Sequence, residues 1–238
     1  MNTNSNNLFF VCFFLLFFSI NANSQSENYC REYEKDCQKA KEFFAEHKSK
    51  LEDAAKKCGV SSEFLFAVVA PEITQFNYLS DKLETYSLKV FYVQGGKAYS
   101  DFSIGYFQMK PSFIEALENY ISIDKDLKNK YKKFLFKKPN ERQARVERVE
   151  RLGGIEWQVD YLALFFIVVN HRFPDITFST TEEQLRFFAS AYNCGFHKSE
   201  QQIKETEQKA LFPHFSRQKF KYSDIAVWFY QETKNNHK

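Results

Sequence analysis

The sequence has no Cys-x-x-Cys pair and no cysteine–histidine cluster, which removes the usual basis of a zinc site. It has no phosphate-binding loop, so neither a nucleotide nor any other cofactor is expected, and no metal. It carries little net charge: +3 over 238 residues dictates no electrostatic partner. No segment repeats. No apolar run reaches the roughly 20 residues that span a bilayer comfortably. What the chain does have is aromatic side chains, 18% of its residues with 28 Phe, ample for a packed core. Its length suits one embellished domain.

Residues 8–20 are 13 mostly apolar residues, Leu8 to Ile20. That fits the hydrophobic region of a secretory signal peptide over 1–24. Ala22-Asn23-Ser24 offers small residues for cleavage, so the mature chain is expected to start at Gln25. The alternative is an uncleaved N-terminal anchor, since residues 2–7 contain no Lys or Arg. No lipobox is present. The expected product is a periplasmic or secreted monomer, not stably inserted in the membrane and with no nucleic-acid partner. Cys30, Cys37, Cys58 and Cys194 then remain, and four cysteines allow three full pairings. Cys30 and Cys37 cannot close within one continuous helix, which would hold their Cα atoms about 10 Å apart. A Cys37–Cys58 bridge across a helical hairpin is favoured.

The periodicity predicts a mainly α (α+β) fold. Residues 28–58 are helix-prone, with Tyr33, Cys37, Ala40, Phe44 and Leu51 on one stripe. Ser61-Ser62-Glu63 opens a second, strongly apolar helix, which Pro71 is expected to kink or end. Residues 86–100 read as a β-hairpin turning at Gly95-Gly96. A helix from about Met109 to 120 follows. The charged stretch 123–151 reads as one or two exposed helices. Its basic residues, from Lys125 through Lys138 to Arg148 and Arg151, read as a solvated face. Residues 155–171 form an apolar helix whose stripe, with Glu156 and Asp160, argues for burial in the core. Thr180-Thr181-Glu182-Glu183 caps a helix running into Ala191-Tyr192, and Ser223-Asp224 opens the last.

Glu72 ends the apolar run Phe64 to Pro71. Apolar surroundings disfavour a charged carboxylate, so such a group keeps a proton near neutral pH, as a general acid must. Downstream come Gly105-Tyr106-Phe107-Gln108-Met109-Lys110-Pro111 and Ala191-Tyr192-Asn193-Cys194-Gly195. The ordered trio resembles the catalytic domain of the soluble lytic transglycosylases and goose-type lysozymes. That pattern is a helix with one catalytic Glu, then Gly-x-x-Gln-hydrophobic-x-Pro, then Ala-Tyr-Asn-x-Gly. The resemblance covers roughly residues 55–205. Ile73 stands where the family usually has Ser, and Pro71 before the Glu is unusual.

The resemblance implies a lysozyme-like helical domain over 61–238, preceded by an N-terminal helical segment over 25–60. Insertions are implied at 77–100 and about 118–155. Peptidoglycan glycan strands would be the partner, and Glu72 the catalytic acid and base. Gly105, Tyr106, Gln108, Tyr192 and Asn193 would line the substrate site. In the family the Glu protonates the oxygen linking N-acetylmuramic acid to N-acetylglucosamine. The carboxylate then takes the proton of the sugar's 6-hydroxyl, giving a 1,6-anhydro product without water. Two alternatives stay open. A second carboxylate, Asp101 or Glu84, opposite Glu72 would make the enzyme a hydrolytic muramidase. A groove that had lost its geometry would leave a peptidoglycan-binding protein. Tyr78, Tyr86 and Tyr99 could stack on sugar rings or pack in the core.

Overall fold

The computed structural model describes residues 28–137, 140–214 and 216–235. The expected signal peptide, its cleavage point and Lys138 lie outside the described residues. The described residues are mainly helical, with one small antiparallel hairpin among them.

α1 (Glu34–Cys58) carries acids in its first turn and Lys56 and Lys57 in its last, matching the helix dipole. Gly59, with φ +70°, ends it in the left-handed conformation. Cys37, Ala40, Phe44 and Leu51 are buried along it, as the stripe predicts. The favoured disulfide is corrected. Cys37 and Cys58 lie near opposite ends of one 25-residue helix, roughly 30 Å apart. The bridge instead joins Cys30 to Cys37, with Cα atoms 5.7 Å apart. The helical turn at 28–32 breaks at Tyr33 (φ −112°, ψ 42°), which brings the two cysteines together. The bridge fits an exported protein. Cys58 and Cys194 are free thiols.

α2 (Ser62–Gln75) starts at Ser61, whose hydroxyl accepts the Phe64 N–H at 3.2 Å. Every residue from Phe64 to Pro71 is buried. It is the central helix, packed against α1, α8 (Thr181–Cys194) and α10 (Tyr222–Asn235). Of the two outcomes expected at Pro71, a kink or an end, the end does not occur, and α2 runs on for another turn. Packing on several sides outweighs the proline penalty. The Thr74 hydroxyl also donates to the Pro71 carbonyl at 2.6 Å.

α3 (Tyr78–Ser87) starts at Asn77 and continues through a π turn, Leu88–Tyr92, to Gly95. The strand reading of 86–100 is therefore overturned. Leu88, Tyr92 and Val93 are buried while Val90 and Phe91 are exposed, a helical rather than an alternating spacing. Gly96, with φ +75°, ends the helix instead of turning a hairpin. The hairpin of this protein is β1 (Ala210–Phe212) with β2 (Phe220–Lys221).

α4 (Pro111–Ile123) is the helix expected to about 120, and α5 (Lys125–Lys130) and α6 (Glu141–Leu152) lie in the charged stretch that follows. The solvated-face reading of its basic residues fails at two positions. Arg148 and Arg151 are buried, and Arg148 pairs with buried Glu118. Of the α7 (Ile155–Arg172) stripe Trp157, Tyr161, Leu164, Phe165 and Val168, the last four are buried and Trp157 is half-buried. α8, α9 (Glu200–Glu207), the hairpin and α10 complete the fold. No single described helix is long and apolar enough to cross a membrane.

Candidate active site

Glu72 sits in the last turn of α2, and part of the residue stays open to solvent. Burial among apolar neighbours lifts its pKa from 4.5 to about 8, opposed by a hydrogen bond with Tyr222 and by the charge of Lys110. The carboxyl therefore holds a proton at neutral pH.

Tyr222, the first residue of α10, donates its hydroxyl proton to the Val68 carbonyl at 3.0 Å. Its oxygen also hydrogen-bonds the Glu72 carboxyl. A phenol has one proton to give. While that proton is on Val68, the Tyr222 oxygen accepts, and the protonated Glu72 donates. Once Glu72 ionises, the same hydroxyl can turn its proton to the carboxylate. Tyr222 thus has a bond to offer either form of the acid.

Tyr192, near the end of α8, is buried with its ring edge-on to Phe113 and Phe165, each 5.4 Å away between centroids. Its hydroxyl donates to the Phe107 carbonyl at 2.6 Å. Burial, followed by the charge of Glu72, raises its pKa far above the ordinary phenol value. The three segments read from the sequence therefore converge. Glu72 feels Lys110, Tyr192 feels Glu72, and Tyr192 bonds Phe107.

The second segment forms a tight turn closed by reciprocal Ile104 and Met109 backbone bonds of 3.1 Å. Gly105 (φ +76°) and Gln108 (φ +47°) both adopt left-handed backbone. Buried Gln158 of α7 props the turn, accepting the Phe107 N–H at 2.9 Å and donating to the Leu152 carbonyl at 2.8 Å. A Cβ on Gly105 would lie 2.0 Å from the Gln158 amide nitrogen. Asp81 of α3 accepts the Gly105 N–H at 2.5 Å. The Gly105→Ala variant is expected to lose about 3 kcal/mol, from left-handed strain and displacement of Gln158. Urea unfolding measures the loss.

Of the other expected site residues, Gln108 donates its amide to the Gly105 carbonyl at 2.9 Å, so part of its capacity serves the turn itself. Tyr106 is exposed, packed on Phe76 at 4.3 Å and Phe43 at 4.8 Å. Asn193 is partly exposed in the last turn of α8. Tyr78, Tyr86 and Tyr99 are exposed, not core.

Of the two candidate second carboxylates, Asp101 is engaged elsewhere. Asp101 accepts both the N–H and the hydroxyl of Ser112, at 2.9 and 2.6 Å, in the first turn of α4. Glu84 is partly buried on α3, where burial and then the charge of Asp81 push its pKa up. Among the described residues no carboxylate contributes to the shift of Glu72. No group of three His, Cys, Asp or Glu side chains among them could hold a metal ion.

Sequence reasoning missed Tyr222, Lys110 and Gln158. Gln158 had a signal, being an uncharged polar residue inside the apolar stretch of α7. Tyr222 had none, as one Tyr among 13.

Comparison of the chain with protein-family models, with curated proteins and with solved structures finds no match.

Proposed function

We propose that this protein is an exported lytic transglycosylase that cleaves the glycan strands of peptidoglycan. One observation carries the reading: a carboxyl that keeps its proton to about pH 8 stands beside Tyr192 and Tyr222, next to the 105–110 turn. Glu72 gives its proton to the oxygen between N-acetylmuramic acid and N-acetylglucosamine as the bond to the anomeric carbon breaks. The carboxylate formed then accepts the proton of the 6-hydroxyl, whose oxygen closes onto that carbon. One residue acts first as acid and then as base, and Tyr222 can hydrogen-bond it in both states. The engagement of Asp101 at Ser112 supports internal closure over attack by an activated water.

Mass spectrometry of fragments released from sacculi tests the reading. Fragments one water lighter than hydrolysis products are expected. Reducing-end fragments would establish a muramidase instead, and binding without release would establish a glycan-binding protein.

The pH dependence follows from the same carboxyl. An acid that must start protonated loses activity as pH rises through its pKa, so the falling limb is expected near pH 8. The bond from Tyr222 favours the ionised form, so Tyr222→Phe is expected to move that limb upward. Initial rates across pH for the two proteins measure the displacement. An unmoved limb would remove Tyr222 from the site.

A further inference from the structure

Large apolar side chains stand exposed at twelve described positions, and nine of them lie between Tyr78 and Tyr106. α3 has no buried residue at all. Leu79, Leu83, Tyr86 and Val90 follow one another at helical spacing, which aligns them in a single row. They are 72, 70, 68 and 37% exposed, and the neighbouring Phe91 is 53% exposed. The helical stretch 78–95 that carries this row is about 27 Å long.

The charges of the stretch are sorted. Asp81 turns inward to the Gly105 N–H, and Glu84 is partly buried. Lys82 and Lys89 are exposed, and neither forms an ion pair with a described acid. The Lys82 ammonium rests 4.4 Å over the Tyr78 ring. The outer surface therefore offers an aliphatic and aromatic row whose exposed charges, Lys82 and Lys89, are both cations, with the acids Asp81 and Glu84 partly buried. That combination is the one by which a helix lies in a bilayer interface. Tyr86 and Phe91 give this face rings, but Leu79, Leu83 and Val90, three of the four residues in the row, supply neither the flat rings nor the hydrogen-bond partners a glycan strand would call for.

We propose that α3 and the π turn after it dock on an anionic lipid surface. The apolar row enters the boundary between headgroups and acyl chains, and Lys82 and Lys89 meet lipid phosphates. The inference is independent of whether Glu72 cleaves glycan.

Sedimentation of the exported chain with phosphatidylcholine vesicles, with and without phosphatidylglycerol, tests it. Leu79→Ser/Leu83→Ser and Lys82→Glu/Lys89→Glu are compared with the parent. All four side chains are exposed, and circular dichroism checks that the variants fold. Expected is binding that needs phosphatidylglycerol and weakens with salt. It should fall about tenfold for each Leu and about fivefold for each Lys replaced. Equal binding by parent and variants, or binding indifferent to phosphatidylglycerol, would overturn the proposal. So would self-association of the parent that the Leu variant abolishes, which would assign the face to a second copy. Loss of sacculus binding in the Leu variant with vesicle binding unchanged would overturn it in favour of glycan.

Discussion

Glu72→Gln is expected to stop the release of glycan fragments, by about a thousandfold, the scale of a lost general acid. The amide matches the carboxylic acid in size and can still donate to the Tyr222 oxygen, so the site should keep its shape. What it lacks is a proton it can release. The same variant carries a second signature in stability. The carboxyl has a pKa of about 8 when folded, against 4.5 ordinarily. Below the lower value both states are protonated and the charge costs nothing. As pH rises between the two, the unfolded chain ionises while the folded one does not, and the wild type loses stability progressively. The amide of the variant cannot ionise. The melting temperature of the variant should therefore overtake that of the wild type as pH rises from about 4.5 to about 8, then hold its lead. Fragment analysis beside thermal scans across that range checks both halves. A melting difference independent of pH would mean that Glu72 is ordinarily solvated, and the acid role would fall with it.

Arg148→Ala is expected to cost about 3–5 kcal/mol of stability, a large part of what a domain has. The guanidinium donates to both Glu118 carboxylate oxygens, at 3.1 and 2.6 Å. A further nitrogen donates to the Tyr92 hydroxyl, which in turn donates to Glu115 at 2.8 Å. This cluster ties the π turn to α4 and α6. Burial raises the pKa of Glu118, and Arg148 and Arg151 hold it down. Removing Arg148 leaves that carboxyl buried without its main partner. The double variant Arg148→Met/Glu118→Gln should recover part of the loss, because no buried charge is stranded. Urea denaturation of the three proteins measures the difference. No recovery would mean that packing on Phe136, 4.9 Å from the guanidinium, matters more than charge.

The helices were largely legible because their signals are local. Ser61 and Thr180 cap where capping chemistry predicts. The α1 and α7 stripes face the core. The misreadings arose where distant contacts overrule local preference. Val90 and Phe91 look like strand, but the buried Tyr92 network holds their segment in a helix. Pro71 looks like a kink or a stop, but the helices around α2 carry the helix past it. The disulfide turned on one residue, Tyr33, whose departure from helical backbone no pattern announced. At the site, Glu72 was legible as an acid in an apolar run. Tyr222 was not, because it reaches Val68 across 154 positions of chain.

The contacts of Tyr29 bear on how the chain can be dissected. Its hydroxyl meets the Thr74 hydroxyl at 2.5 Å and accepts from the Gln75 amide at 3.1 Å, beside Glu72 in the same last turn. Its ring stands edge-on to Phe220 at 5.1 Å, one residue before the hairpin's end at Lys221 and two before Tyr222. The residue that braces both halves of the acid's surroundings thus comes from the first turn described. The segment before residue 61 is not a detachable leader to the rest of the fold. A minimal domain cut there would lose the buttress behind its own acid, so modularity in this protein stops short of its N-terminal helix.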